Sequence, residues 1–138
     1  VEVFVGMDQL GDFADGLDIV VSVLPLTPQT TGIMNAGFFD RLAPGAFIIN
    51  GGRGPQVADD DLLAAVDSGQ LGGAALDVFA VEPLPDDHPF WTHPKVRVWP
   101  HVAAQTNATS AADQVAQAIQ RIMAGEEPAN RVDWERGY

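Results

Sequence analysis

The chain has 138 residues, 46% of them hydrophobic, with 7 Lys plus Arg against 19 Asp plus Glu for a formal net charge of -12, and no cysteine. That length suits one ordinary domain with a buried core, and the apolar fraction excludes a disordered acidic tail. The lack of cysteine excludes a disulfide framework, a Cys-ligated zinc site and a cysteine nucleophile, while the acidity argues against nucleic acid as a partner. No apolar run approaches the roughly 18 to 20 residues of a membrane span, and no signal peptide is read at the start, so a cytoplasmic protein without membrane contact is expected. Residues 1–70 hold 10 acids and only two bases, Arg41 and Arg53, so an arginine in that half needs a reason.

In chain order, a weak strand is expected at Val1–Phe4 and a short helix at Gln9–Phe13. The run Ile19–Leu24 predicts the first strong strand, Asn35–Leu42 a helix with Phe38, Phe39 and Leu42 on one side, and Ala46–Ile49 the second strand. Both strands are near-continuous apolar runs, which predicts cover on both faces. Asp60–Ser68 predicts a helix with an acidic first turn that stops before Gly69. A third strand is expected at Ala74–Leu76, and a fourth, at Val96–Trp99, carries Arg97 and belongs nearer an edge. Between them Pro83–Pro94, with four prolines and two histidines, reads as a long loop. The strongest helix is Ser110–Ala124, where Val115, Ile119, Ile122 and Met123 step by three and four before Gly125 and Pro128. Strands alternating with helices in this way are βα units of a parallel sheet, an α/β fold.

Ligands of such sheets bind beyond the carboxyl ends of the strands. Pro25 follows the first expected strand, Asn50-Gly51-Gly52-Arg53-Gly54 the second, Asp77 and Glu82 the third, and Pro100-His101 the fourth. An Arg, an Asp, a Glu and a His thus converge on one edge. Each has a duller reading alone: Arg53 as a turn arginine, Glu82 as a surface acid, Asp77 as a cap, His101 as a structural histidine like His88 and His93. Together they are a set. A planar guanidinium among small residues is suited to holding a carboxylate through two parallel hydrogen bonds. A carboxylate beside a histidine fixes the tautomer and favours the protonated ring, which can then act as an acid. Those parts are what reduction of a 2-keto acid needs, with Arg53, Glu82 and His101 as the catalytic set. No metal is implied, because the histidines lack ligand spacing, and no nucleophile motif is present.

The stretches LPLTPQTTGIMN (24–35), GAFIINGGRG (45–54), DDLLAAVDSGQLGGAALDVFAVEPLP (60–85), HPFWTHPKVRVWPHVAAQT (88–106) and VDWERGY (132–138) resemble the D-isomer-specific 2-hydroxyacid dehydrogenases, within them the glyoxylate/hydroxypyruvate reductase branch. The resemblance implies the C-terminal part of a parallel-sheet Rossmann-type coenzyme domain over residues 1–108. It also implies a helix and tail over 109–138 that would pack on a substrate domain absent from this chain. It implies that Arg53 binds the substrate carboxylate, that His101 is the acid in reduction and the base in oxidation, and that Glu82 is its partner. Asp77 would hydrogen-bond the nicotinamide carboxamide, and Pro25, Gly51, Arg53, His101 and Ala103 would line the nicotinamide side of the cleft. The implied cofactor is NADP or NAD, with NADPH favoured, the substrate a small 2-keto acid, and the intact enzyme a homodimer.

Two departures stand out. Gly52 occupies a position where Ala or Ser is commoner, which is expected to loosen the loop while leaving Arg53 placed. The Gly-x-Gly-x-x-Gly turn and the N-terminal half of the family pattern are missing, so the chain reads as truncated at Val1, inside structured sequence. Two alternatives accompany the reductase: a non-catalytic dinucleotide-sensing module on the same scaffold, and a truncated fragment without activity of its own.

Overall fold

Four parallel strands, β1 (Ile19–Ser22), β2 (Ala46–Asn50), β3 (Leu71–Leu76) and β4 (Val96–Val98), form one sheet in the order β1-β2-β3-β4. The computed structural model describes residues 1–135. Helix α1 (Leu10–Ala14) precedes the sheet, α2 (Ala36–Phe39) lies between β1 and β2, α3 (Asp59–Ser68) between β2 and β3, and α4 (Ala108–Met123) follows β4. The chain separates into residues 1–103, which contain the sheet, and residues from Ala104 onward, which contain α4; the sequence places that division after 108. Asn107 caps α4 by accepting the Ser110 N–H at 3.1 Å, so the residues before it already belong to the approach to that helix.

The core is built on one face of the sheet. Val20, Ala46, Ile48, Leu71, Ala74 and Leu76 meet Phe38, Phe39 and Leu42 around α2 and Leu62 and Val66 of α3 in one buried cluster. The acidic start of α3 suits the helix dipole, and Asp61 accepts the Ala36 N–H at 2.9 Å, joining the starts of α3 and α2. The connection from β3 to β4 is a long loop with one 3-10 turn at Pro89–Trp91. It is fastened to α3 by the His93–Asp67 pair at 3.1 Å and by Lys95 Nζ donating to the Val66 carbonyl at 2.6 Å. Beside it, burial raises the Asp59 carboxyl above its usual range, with His88 opposing that shift.

Three expectations are corrected. The apolar runs of β1 and β2 are covered on one face, not two: Ile19, Val21, Phe47 and Ile49 stay exposed. The sheet is crossed in one direction from β1 to β3, and right-handed crossovers of one direction lay α2 and α3 on the same side. Val1–Phe4 forms no strand, since no strand among the described residues lies beside it to complete a ladder. Strand β1 stops at Ser22 rather than Leu24, because the Leu24 carbonyl bonds the Gln56 side chain at 2.9 Å instead of a neighbouring strand. In the C-terminal unit α4 is helical as expected, and Val115, Ile119, Ile122 and Met123 are exposed along it. The end of the expected tail, residues 136–138, lies outside the described residues. No helix among the described residues is long and apolar enough to cross a membrane.

Ile48 is fully buried in the covered face and Val21 lies on the open one. Urea unfolding of the chain is expected to show a loss of about 2–5 kcal/mol for Ile48→Ala and under about 1 kcal/mol for Val21→Ala. Equal losses would contradict the one-sided core.

Candidate active site

The parallel register sets Ser22, Asn50, Leu76 and Val98 abreast across the sheet. The ladder continues one residue further: Gly51 N–H donates to the Ser22 carbonyl at 3.0 Å, Asp77 N–H to Asn50 at 3.0 Å and Trp99 N–H to Leu76 at 2.9 Å. The loops carrying Pro25, Arg53, Asp77 with Glu82, and His101 therefore leave the sheet from one edge.

Arg53 sits in a turn that a buried asparagine shapes. Asn50 Oδ1 accepts the Gly52 N–H at 3.0 Å, and its Nδ2 donates to the Arg53 carbonyl at 3.1 Å. Arg53 Nη1 donates to the Gly52 carbonyl at 2.7 Å, while the residue itself stays exposed. The next residue, Gly54, lies against the backbone of Phe79 and Ala80, where any side chain would overlap main-chain atoms. That approach brings the Arg53 turn against the segment leading to Glu82.

Glu82 has both oxygens engaged: Oε1 accepts the Phe79 N–H at 2.9 Å, and Oε2 lies 2.8 Å from His101 Nδ1. An ionised carboxylate only accepts, so Nδ1 carries the proton, and Nε2 has no hydrogen-bond partner among the described residues. The His101 hydrogen bond, then the Phe79 amide, hold the Glu82 carboxyl below its ordinary value of 4.5, with the charges of His101 and Arg53 acting in the same direction against partial desolvation. His101 has a left-handed backbone, φ 54, and among the described residues it is the one non-glycine there. Asp77 holds that turn. Buried at the end of β3, its carboxylate accepts the N–H of Val102 at 2.9 Å and of Ala103 at 2.8 Å.

Beside this set lies a largely apolar cleft of about 310 Å³, lined by Ile49 and Gly51 from the end of β2, Ala75 and Asp77 from β3, and Trp99 and Ala103 beyond β4. Of the six residues expected at the nicotinamide, Gly51, Asp77 and Ala103 line this cleft, whereas Pro25, Arg53 and His101 lie outside its lining. The Pro25 carbonyl is taken up by Thr30 Oγ1 at 2.8 Å and Gln56 Nε2 at 3.1 Å. Asn50, Gln56 and Trp99 were not foreseen as site residues. A fully buried Asn and Gln flanking an exposed Arg is the signal that burial supplies and sequence spacing does not. Nor is the Gly52 turn loose, because the Gln56 amide fills it.

Residues 2–103 match the family model described as D-isomer specific 2-hydroxyacid dehydrogenase, NAD binding domain. The chain belongs to this family. A glyoxylate/hydroxypyruvate reductase A of Serratia proteamaculans is 49% identical over 138 residues, all of this chain and 44% of that protein. A D-isomer specific 2-hydroxyacid dehydrogenase from Xanthobacter autotrophicus Py2, solved with NADPH and MES, superposes with a TM-score of 0.94 at 47% identity, covering 98% of this chain and 56% of that one. An NADPH-dependent glyoxylate/hydroxypyruvate reductase from Sinorhizobium meliloti, solved with NADP and sulfate, gives a TM-score of 0.90 at 40% identity over 96% of this chain and 43% of that one. The chain thus spans a little under half the length of the Serratia reductase. As the alternation of strands and helices and the family resemblance imply, this 2-hydroxyacid dehydrogenase segment is a Rossmann-like parallel sheet with helices.

Because the folded Glu82 titrates below its unfolded value, its ionised form stabilises the fold above that value, and the contribution is lost as pH falls through the folded one. Carbon-13 NMR of the Glu82 carboxyl is expected to give a midpoint below 4.5 that returns toward 4.5 in His101→Ala. A midpoint unmoved by that substitution would contradict the pairing.

Proposed function

We propose that the enzyme carrying this chain reduces small 2-keto acids, glyoxylate to glycolate and hydroxypyruvate to D-glycerate, with NADPH or NADH. The carrying observation is the Glu82–His101 pair at 2.8 Å, on the same sheet edge as an exposed arginine ringed by glycines. Arg53 would receive the substrate carboxylate in its planar fork and so fix which face of the keto group is presented. His101 would donate a proton from its outward Nε2 to the carbonyl oxygen as the carbonyl carbon is reduced. Glu82, bonded to Nδ1, fixes the orientation of the ring so that Nε2 is the nitrogen presented to substrate. In the reverse direction neutral Nε2 takes the hydroxyl proton.

The apolar cleft suits a nicotinamide ring: Ile49, Ala75 and Trp99 line it, and its one carboxylate, Asp77, keeps spare lone pairs after accepting two amides. Gly51, Asp77 and Ala103 would hold the ring there, with Asp77 accepting from the carboxamide. The dinucleotide, when bound, supplies the hydride. NADPH is the favoured form by analogy with the Xanthobacter and Sinorhizobium structures. The same reading makes the intact enzyme a cytoplasmic homodimer, with residues 109–138 returning to its substrate domain.

In the intact enzyme His101→Ala is expected to lower kcat for glyoxylate reduction by roughly 10²–10⁴-fold, followed as NADPH oxidation at neutral pH. Arg53→Lys keeps the charge but loses the fork, and is expected to raise KM for glyoxylate by roughly 10-fold or more. Undiminished turnover with His101→Ala would sink the assignment.

A further inference from the structure

Gln56 ends the 3-10 turn that follows Arg53, and none of it is exposed. Its side chain uses its full hydrogen-bonding capacity. Oε1 accepts the Arg53 N–H at 3.1 Å and the Ser22 hydroxyl at 3.3 Å. Nε2 donates to the Leu24 carbonyl at 2.9 Å and to the Pro25 carbonyl at 3.1 Å. One amide therefore joins the end of β1, the loop beyond it and the backbone of the arginine. The two carbonyls it satisfies lie past the end of the β1 ladder, where no strand answers them, and the amide that reaches them is itself fully buried, so its own groups are costly to leave unpaired.

Gly52 completes the arrangement. A Cβ there would stand 2.6 Å from Gln56 Oε1 and 3.0 Å from the Leu24 carbonyl, so the amide occupies the space a side chain at 52 would take.

We propose that Gln56 is the positioning residue for Arg53, and that Gly52 and Gln56 form a matched pair which together set the guanidinium where it meets the substrate carboxylate. The inference rests on the reading of Arg53 as the carboxylate-binding group. Gln56 touches neither substrate nor cofactor; it acts by fixing the arginine's main chain on both sides, its own helical turn on one and the β1 loop on the other. An apolar residue at 56 would remove the partner of the Arg53 N–H and of the Leu24 carbonyl, leaving the Pro25 carbonyl to Thr30 Oγ1, and the turn would shift to reach water or other partners.

The test is a double-substitution cycle in the intact enzyme, with Gly52→Ala, Gln56→Met and the pair, and Arg53→Ala as the reference. Three quantities are read: KM for glyoxylate, the Kd of oxalate for the enzyme with NADP bound, and the Kd of NADPH. Gln56→Met and Gly52→Ala are each expected to raise the first two by roughly 10-fold to 100-fold while NADPH binding stays within about 3-fold. The double variant is expected to be less impaired than the product of the two single effects, because the contact with Gln56 Oε1, the shortest that a Cβ at 52 would make, is absent from it while the Leu24 carbonyl contact remains. If Arg53→Ala weakens oxalate binding but Gln56→Met leaves it unchanged, the positioning role is overturned and the reductase reading stands. If Arg53→Ala leaves oxalate binding unchanged, the carboxylate reading itself fails and takes the proposal with it. Strictly multiplicative effects in the double variant would overturn the matched pair. Should Gln56→Met not melt cooperatively, Gln56→His, which keeps one donor and one acceptor, is read by the same criteria and is expected to recover part of the oxalate affinity.

Discussion

The register of the parallel sheet governs the site. Ser22, Asn50, Leu76 and Val98 stand in one row, and the ladder bonds of Gly51, Asp77 and Trp99 carry that row one residue past the strands. A shift of one residue in any strand would turn its buried side chains to the open face and move its loop away from the others. Every candidate functional group hangs from this row. The covered face of the sheet, filled by Ile48, Leu62, Leu71 and Phe39, is what makes the register costly to change.

Past the row, a second layer of control is polar. Asn50, Gln56 and Asp77 are buried, and each spends its side chain on backbone groups of a loop that has left the sheet. Among the described residues no buried side-chain nitrogen or oxygen lacks a partner. Such side chains do for loops what ladders do for strands: they satisfy main-chain groups that would otherwise fall to water, and thereby choose one loop conformation. The Arg53 turn and the left-handed His101 are both held this way, one by two amides and the other by a carboxylate. The exposed groups that would meet substrate then carry few structural bonds of their own: one from Arg53 Nη1 to the Gly52 carbonyl, and the Glu82–His101 pair, which orients the proton donor.

Much of this was legible in the sequence. The apolar runs marked the strands, and the three-and-four spacing of Val115, Ile119 and Ile122 marked α4, because buried or stacking faces leave a period in the chain. Arg53, Glu82 and His101 could be placed at one edge from topology alone, since each follows a strand of a parallel sheet. The opening of β3 was hidden by Gly72 and Gly73, which carry no apolar pattern. The open face of β1 and β2 could not be read, because a strand waiting for cover and a strand already covered have the same apolar residues. Gln56 was invisible for another reason. Its partners Ser22, Leu24 and Pro25 lie more than 30 residues away, and a side chain bonding to backbone leaves no trace in the identity of the residues it bonds.

The central claim, that Arg53, Glu82 and His101 act on one 2-keto acid, is tested most directly by a crystal structure of the intact enzyme with NADPH and oxamate. The account predicts the oxamate carboxylate held by two parallel bonds from Arg53, and His101 Nε2 about 2.6–3.2 Å from the carbonyl oxygen with Nδ1 still on Glu82. Oxamate bound away from Arg53, with His101 Nε2 out of reach of its carbonyl, would contradict it.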